Sequence, residues 1–202
     1  EFLKAADVPV AAPSANVSKH TSPVTAMHVY EDLKGKIPLI LDGGKCSGGI
    51  ESTVLDVTTD TPIILRSGLV TADMIKSVVG KCAYSQNKPT DKIRAPGMKY
   101  RHYCPKCETA LFKRDQTELA QKLYDELVSE GKRPYFMCDD AMLTKIKGNV
   151  LRLGGTAEEI ASNLYDKLHE SEGLADMIIA FEVETGSDVD VGIMNRLSKA
   201  CK

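Results

Sequence analysis

The sequence of 202 residues is short of several features, and each absence narrows its chemistry. No apolar run approaches the roughly 20 residues needed to cross a bilayer, and no signal peptide is visible. A membrane is therefore not an expected partner, and a cytoplasmic location is expected. Charge of one sign is not in excess: 26 Lys and Arg face 28 Asp and Glu, a net charge of -2. The surface as a whole is thus no magnet for nucleic acid, and any phosphate chemistry must come from a local basic cluster. Cysteines number six and are mostly scattered, with a single C-x-x-C at Cys104 and Cys107. A structural zinc needs four ligands, and Cys138 and Cys201 would have to complete the set from distant segments. Ordinary thiols in a reducing compartment, and no metal, are the expectation. There is no initiator Met; "EFLKAADVPVAAPS" reads as a helix end leading into a buried strand, which suggests a chain that starts inside a domain.

What is present is an α/β pattern in two parts. Hydrophobic residues make up 43% of the chain, enough to bury a core. Val8–Ala12 and Pro38–Leu41 are short apolar runs expected as strands. Ser22-Pro23 offers a cap and a proline suited to the first turn of a helix continuing through Met27, Tyr30 and Leu33. The β-branched runs Thr53–Thr58 and Pro62–Arg66 suggest a hairpin. A short helix over Thr71–Val79 and a strand over Lys81–Tyr84 would follow. From Ser85 to Lys106 no apolar period survives and three prolines intervene, so this stretch reads as a linker. Beyond it, strands over Thr109–Lys113, Tyr135–Cys138, Val150–Leu153 and Met177–Val183 alternate with helical patterns, which argues for a mostly parallel α/β domain. The first of those helices would bury Leu119, Ala120, Leu123, Tyr124, Leu127 and Val128. Thr156 and Glu159 form a capping box before the stripe Ile160, Ala161, Leu164, Tyr165, Leu168. Ile193, Met194, Leu197, Ala200 and Cys201 line a closing helix.

Four segments could carry chemistry. "PSANVSKHTSP" is a loop of hydroxyls and amides (Ser14, Asn16, Ser18, Ser22) with Lys19 and His20, placed before a helix start, and could cradle phosphate. "GGKCSGGIESTVLD" is glycine-rich but lacks the Gly-Lys-Ser/Thr ending of a P-loop, and a strand follows it. Its glycines would let the backbone approach a ligand closely, with Ser52 and Thr53 at the head of the strand. In "ILRSG", Arg66 at a strand end could clamp a phosphate or carboxylate, or pair with Asp56 or Asp60. In "APGMKYRHY", the cations Lys99, Arg101 and His102 alternate with Tyr100 and Tyr103, as in a lid over a nucleotide or a single-stranded RNA contact.

These four segments, in this order, resemble the threonylcarbamoyl-AMP synthase family in its long form. "PSAN" with Ser22-Pro23, then "ESTVLD", then "ILRSG" are similar to the binding motifs of its YrdC-type catalytic domain. "PGMKYRHYCPK" is similar to the interdomain linker, and "NRLSKA" to the last helix of the extra C-terminal domain. The resemblance implies a chain made of the C-terminal part of a YrdC-type twisted-sheet α/β domain (1–84), a linker and lid (85–108), and a small Rossmann-like α/β domain (109–202). The family's catalytic domain begins upstream with a basic ATP-gripping motif that is not in this sequence, so the chain alone is expected to be an inactive, N-terminally truncated piece. The implied reaction joins L-threonine, bicarbonate or carbon dioxide and ATP into L-threonylcarbamoyl-adenylate, releasing pyrophosphate, for modification of tRNA. ATP, with Mg2+, is then a substrate, and no permanent cofactor is implied. Ser14, Asn16, Ser22, Arg66, Tyr100, Arg101 and His102 would serve ATP, and Ser52 would serve threonine. Downstream tRNA threonylcarbamoyl-transfer enzymes, and tRNA itself, would be partners. The competing expectations are a non-catalytic RNA-binding or regulatory module and carbamoyl transfer to another acceptor.

Overall fold

The computed structural model describes residues 1–18, 20–85 and 105–201. The strongest sequence patterns became the best-buried elements. Residues Glu108–Phe112 (β1), Pro134–Cys138 (β2), Val150–Arg152 (β3) and Met177–Phe181 (β4) form one sheet in the order β1-β4-β2-β3, every pair parallel. Side chains of a strand alternate between faces, and here the alternation sorts two cores. Met137, Ile178 and Ala180 face one side; Phe136, Cys138, Ile179 and Phe181 face the other. Helix Thr117–Ser129 (α1) covers the second face with Ala120, Tyr124 and Leu127. Helices Ala157–Ser171 (α2) and Val189–Ala200 (α3) cover the first. Burial on both faces is what a parallel sheet requires. The strand order, 1-4-2-3 in chain order, differs from the 3-2-1-4-5-6 of the dinucleotide-binding fold.

The capping box is present as expected: Thr156 Oγ1 accepts from Glu159 N, and the Glu159 carboxylate accepts from Thr156 N. All five residues of the apolar stripe behind it are buried. In α1, by contrast, Leu119 and Val128 are about half exposed (55% and 50%). The sheet covers only the Ala120–Tyr124–Leu127 side of that helix, so a stripe drawn from spacing alone was too wide.

The first unit is thinner. Val54–Asp56 (β5) and Ile63–Arg66 (β6) make the expected antiparallel hairpin, with an irregularity at Val54/Leu55, and Ala83–Tyr84 (β7) joins β6 in parallel. Helix Ala72–Val79 (α4) starts at its Thr71 cap. Three expectations need correction. Val8–Ala12 and Pro38–Leu41 are not strands; no strand lies beside either among the described residues, and Val8, Val10, Leu39 and Leu41 are exposed. A strand without a ladder partner leaves its amides to water. The helix after Ser22-Pro23 begins later, at Ala26–Leu33 (α5), because Thr25 supplies the cap by accepting from His28 N at 3.3 Å. A short helix at Phe2–Ala6 precedes the coil, as the opening residues suggested.

The two units share a core. Buried Val24, together with Ile50 and Leu69, packs into the same cluster as Leu164, Leu168 and Leu197 of α2 and α3. The join is made of side chains that the sequence assigns to separate domains. No described helix is long and apolar enough to cross a membrane.

Candidate active site

The join brings three of the four motif segments together around one carboxylate. Glu51, the residue before Ser52, accepts from Ser22 Oγ at 3.0 Å on Oε1. Its Oε2 accepts from Tyr165 Oη of α2 at 2.8 Å and from Arg196 Nε of α3 at 3.0 Å. Arg196 is 1% exposed, and its fork also donates to the carbonyls of Glu51, Ser67 and Gly192. Burial alone would raise the Glu51 carboxyl; the Arg196 charge, with hydrogen bonds from Arg196 and Tyr165, outweighs that and holds it below the ordinary carboxylate value. Glu51 is therefore ionised, and a buried charge of this kind is tolerated because it is paired and hydrogen-bonded.

Around this centre the sequence candidates take distinct places. Ser52 is exposed, and its carbonyl accepts from Arg66 Nε at 3.1 Å. Asp56, one of the two acids considered as an Arg66 partner, accepts from the amide and hydroxyl of Thr58. Lys199, one turn from Arg196, has its ammonium pushed below the ordinary lysine range by burial first, then by the neighbouring charge of Arg196, with Arg66 adding to it. Arg66, bonded to the Ser52 carbonyl, puts positive charge beside Ser52, suited to a carboxylate or phosphate. Ser22 gives its hydrogen to Glu51, so its remaining capacity is to accept.

Ser14 lies apart from this centre. It is exposed and lines a cavity of about 440 Å3 with Pro23, Thr25, Gly43 and Gly44, at the N-terminal end of α5. Asn16 holds its own loop: its amide donates to the carbonyls of Val17 and His20, while Asp32 accepts from Val17 N and contacts His20 Nδ1 at 3.2 Å. Asn16 Oδ1 is buried with no hydrogen-bond partner among the described residues. Tyr100, Arg101 and His102, with Lys19, Lys99 and Tyr103, lie outside the described residues. The structure thus joins Ser22 to the Glu51 carboxylate and Arg66 to the adjacent Ser52 carbonyl, and sets Ser14 on a cavity that Pro23, the neighbour of Ser22, also lines.

A larger cavity, about 950 Å3, runs along α1 beside Thr117, Gln121, Asp125 and Lys147. It holds none of the candidate residues and is lined by a solvated surface of mixed charge, so the chemistry favours the smaller one. Among the described residues no cluster of three or more His, Cys, Asp or Glu is poised to hold a metal. Cys138 is inert: burial, with Asp139 and Asp140 adding to it, pushes its thiol up to about 12.

The glycine-rich segment departs from expectation. Gly49 makes its close approach to helix α2, not to a ligand: a Cβ there would lie 2.3 Å from the carbonyl oxygen of Ala161. Gly68 likewise presses on the backbone of Glu51–Thr53, where a Cβ would meet Thr53 N at 2.5 Å. Sequence reasoning missed Glu51 and Arg196. A signal existed for the latter, since Gly192, Ile193, Arg196, Leu197 and Ala200 share helical spacing, which puts an arginine on the buried stripe.

With this geometry described, likeness to known proteins can be stated. Residues 70–201 match the family described as "Threonylcarbamoyl-AMP synthase, C-terminal domain", and residues 1–68 match the one described as "Telomere recombination". The chain is 38% identical to the threonylcarbamoyl-AMP synthase of Pyrococcus abyssi, covering 99% of this chain and 60% of that protein. It is 35% identical to that of Schizosaccharomyces pombe (98% and 53%) and 36% identical to that of Bacillus subtilis (98% and 59%). It therefore spans little more than half the length of these relatives. The crystal structure of P. abyssi Sua5 complexed with L-threonine superposes with a TM-score of 0.84 at 37% identity, covering 98% of this chain and 59% of that one.

Proposed function

The chain belongs to the threonylcarbamoyl-AMP synthase family, and on that premise we propose that it carries part of the substrate site of an enzyme making L-threonylcarbamoyl-adenylate. The substrates are L-threonine, bicarbonate or carbon dioxide, and ATP, with pyrophosphate released; the product serves tRNA modification by downstream transfer enzymes in the cytoplasm. In this reading residues 1–84 are the later part of a YrdC-type sheet domain, and residues 109–202 a small domain that is Rossmann-like in its alternation of strand and helix, though not in its strand order. The observation that carries the proposal is that Ser22 bonds the Glu51 carboxylate while Arg66 bonds the carbonyl of the next residue, Ser52, near the Ser14 cavity. The likeness to a threonine-bound relative supports the amino acid.

The chemistry suits these groups. A threonine carbamate is a weak nucleophile, so the site must hold it in line with the α-phosphate and keep water away. Arg66, beside Ser52, orients the amino-acid carboxylate or a phosphate. The amides at the start of α5, with Ser14, favour the triphosphate. Positive groups then stabilise charge on the phosphoryl oxygens and the departing pyrophosphate. Mg2+ arrives on the nucleotide, as such ions usually do, with most of its ligands from phosphate and water. Tyr100, Arg101 and His102 are assigned to the nucleotide by their family motif. tRNA is a further partner only if the basic strap also binds it.

The test is pyrophosphate release by the full-length protein. Release is expected only with threonine and bicarbonate both present, and Arg66→Ala should weaken ATP use far more than it lowers the melting temperature. Release that ignores threonine overturns the proposal. Salt-sensitive tRNA binding without any effect of ATP would favour a binding module instead.

A further inference from the structure

Arg196 of the C-terminal unit stands at an unusual crossing. One guanidinium reaches the Glu51 carboxylate, the Glu51 carbonyl and the Ser67 carbonyl. Ser52 follows Glu51 in the chain and Arg66 precedes Ser67, so the two carbonyls it grips flank the two residues assigned to threonine and phosphate. Its carboxylate partner takes the Ser22 hydroxyl hydrogen, which ties in the third motif segment. Tyr165, 1% exposed, holds the same carboxylate from α2. These contacts lead out of residues 109–201 into the first unit. A guanidinium buried at a helix face is expensive to desolvate, and an apolar residue there would pack at least as well for stability alone.

We propose that Glu51, Arg196 and Tyr165 are positioning residues of the substrate site. Through them the C-terminal unit sets the relative placement of Ser22, Ser52 and Arg66, so that an undocked C-terminal unit leaves a binding loop without catalytic geometry. This rests on the functional reading above and adds a role for the second domain. The planar fork matters, because Nε, Nη1 and Nη2 each meet a different acceptor, whereas an ammonium offers its three donors from one point. Glu51 matters because both Arg196 and Ser22 bond its carboxylate. Sub-ångström placement governs rate more than affinity, so the deficit should fall on kcat.

The experiment measures threonine- and bicarbonate-dependent pyrophosphate release in the full-length protein for three variants, each first shown to be folded at the assay temperature by circular dichroism. Tyr165→Phe keeps the ring and removes one hydrogen bond to the carboxylate; kcat should fall roughly tenfold, the worth of one bond to a charged group. Glu51→Asp keeps the charge for Arg196 but withdraws the carboxylate from Ser22, and Arg196→Lys keeps charge without the fork; both should lower kcat further, with smaller changes in KM. Arg133→Met, which breaks an exposed ion pair with Asp176 outside the Glu51 network, should match the parent. An active parent whose folded Tyr165→Phe and Glu51→Asp variants retain parental kcat overturns the positioning role alone. Effects confined to the fraction of protein unfolded do the same. A parent that releases no pyrophosphate in response to threonine overturns the functional reading, and this inference with it.

Discussion

Gly49→Ala is the sharpest stability test of how the two units join. Gly49 has φ +61, in the left-handed region, and a Cβ there would lie 2.3 Å from Ala161 O and 2.5 Å from both Cα and O of Ser162. Atoms in good contact sit near 3.5 Å, so loop or helix must withdraw by about 1 Å. Both obstacles are helix backbone, which has no rotamer to change. Overpacking of this sort costs about 1–3 kcal/mol, and placing alanine in a left-handed conformation about 1–2 kcal/mol more. Together they give about 2–5 kcal/mol, which for a chain of this size lowers the melting temperature by about 4–20 °C. Gly44→Ala is the internal control: its φ is +86, but nothing lies within 4 Å of the added methyl. It carries the backbone cost alone, about 2–8 °C. Thermal unfolding of both variants, with hydrogen exchange across 48–53 and 157–165, reads the difference. Equal shifts for the two, or unchanged exchange at α2 in Gly49→Ala, would refute the reasoning that this glycine exists for contact between the units.

Three further outcomes are expected. His28 of α5 stacks on His169 of α2, with centroids 4.0 Å apart, and its pKa lies below the ordinary 6.5, through burial first and the His169 charge second, with Asp166 and Glu31 opposing. A lowered histidine means the unfolded chain binds more protons, so this contribution to stability is complete above pH 6.5 and is lost as pH falls below it. Urea midpoints should drop between about pH 7.5 and 5.5, and a His28→Gln variant with an unchanged slope would contradict this. Thr156→Ala removes the cap of the longest helix and should cost about 0.5–2 kcal/mol in denaturant unfolding; a neutral result would mean the capping box is redundant. Leu164→Ala, at 0% exposure, should cost about 2–5 kcal/mol, while Leu119→Ala, at 55%, should stay within about 0.5 kcal/mol. Similar losses for both would contradict the burial assignment in α1.

Much of the C-terminal unit was readable beforehand because its signals are local. The capping box at Thr156 and Glu159, the stripe from Ile160 to Leu168 and the four apolar strands each rest on residues within one or two turns of one another. The hairpin of β5 and β6 was readable for the same reason, with its strands joined by a short polar turn. Local chemistry also named Ser22, Ser52 and Arg66 as candidates, but not what links them.

The tertiary structure decided the rest, since the deciding partners are far apart in the chain. Val8–Ala12 has the apolar content of a strand, yet a strand is defined by its neighbour, and none lies beside it among the described residues. Leu119 and Leu123 look alike in sequence; the sheet's position packs Leu123 against the core and leaves Leu119 exposed. Gly49 read as a ligand-facing glycine until α2 was seen against it. Glu51 and Arg196, 145 residues apart, carry no local mark of their pairing. Sequence alone determined the hairpin of the first unit and the helices and parallel sheet of the second, because those choices depend on spacing within a segment. Folding determined where a carboxylate, an arginine and a tyrosine meet, because a buried charge is stable only where its partners converge in space.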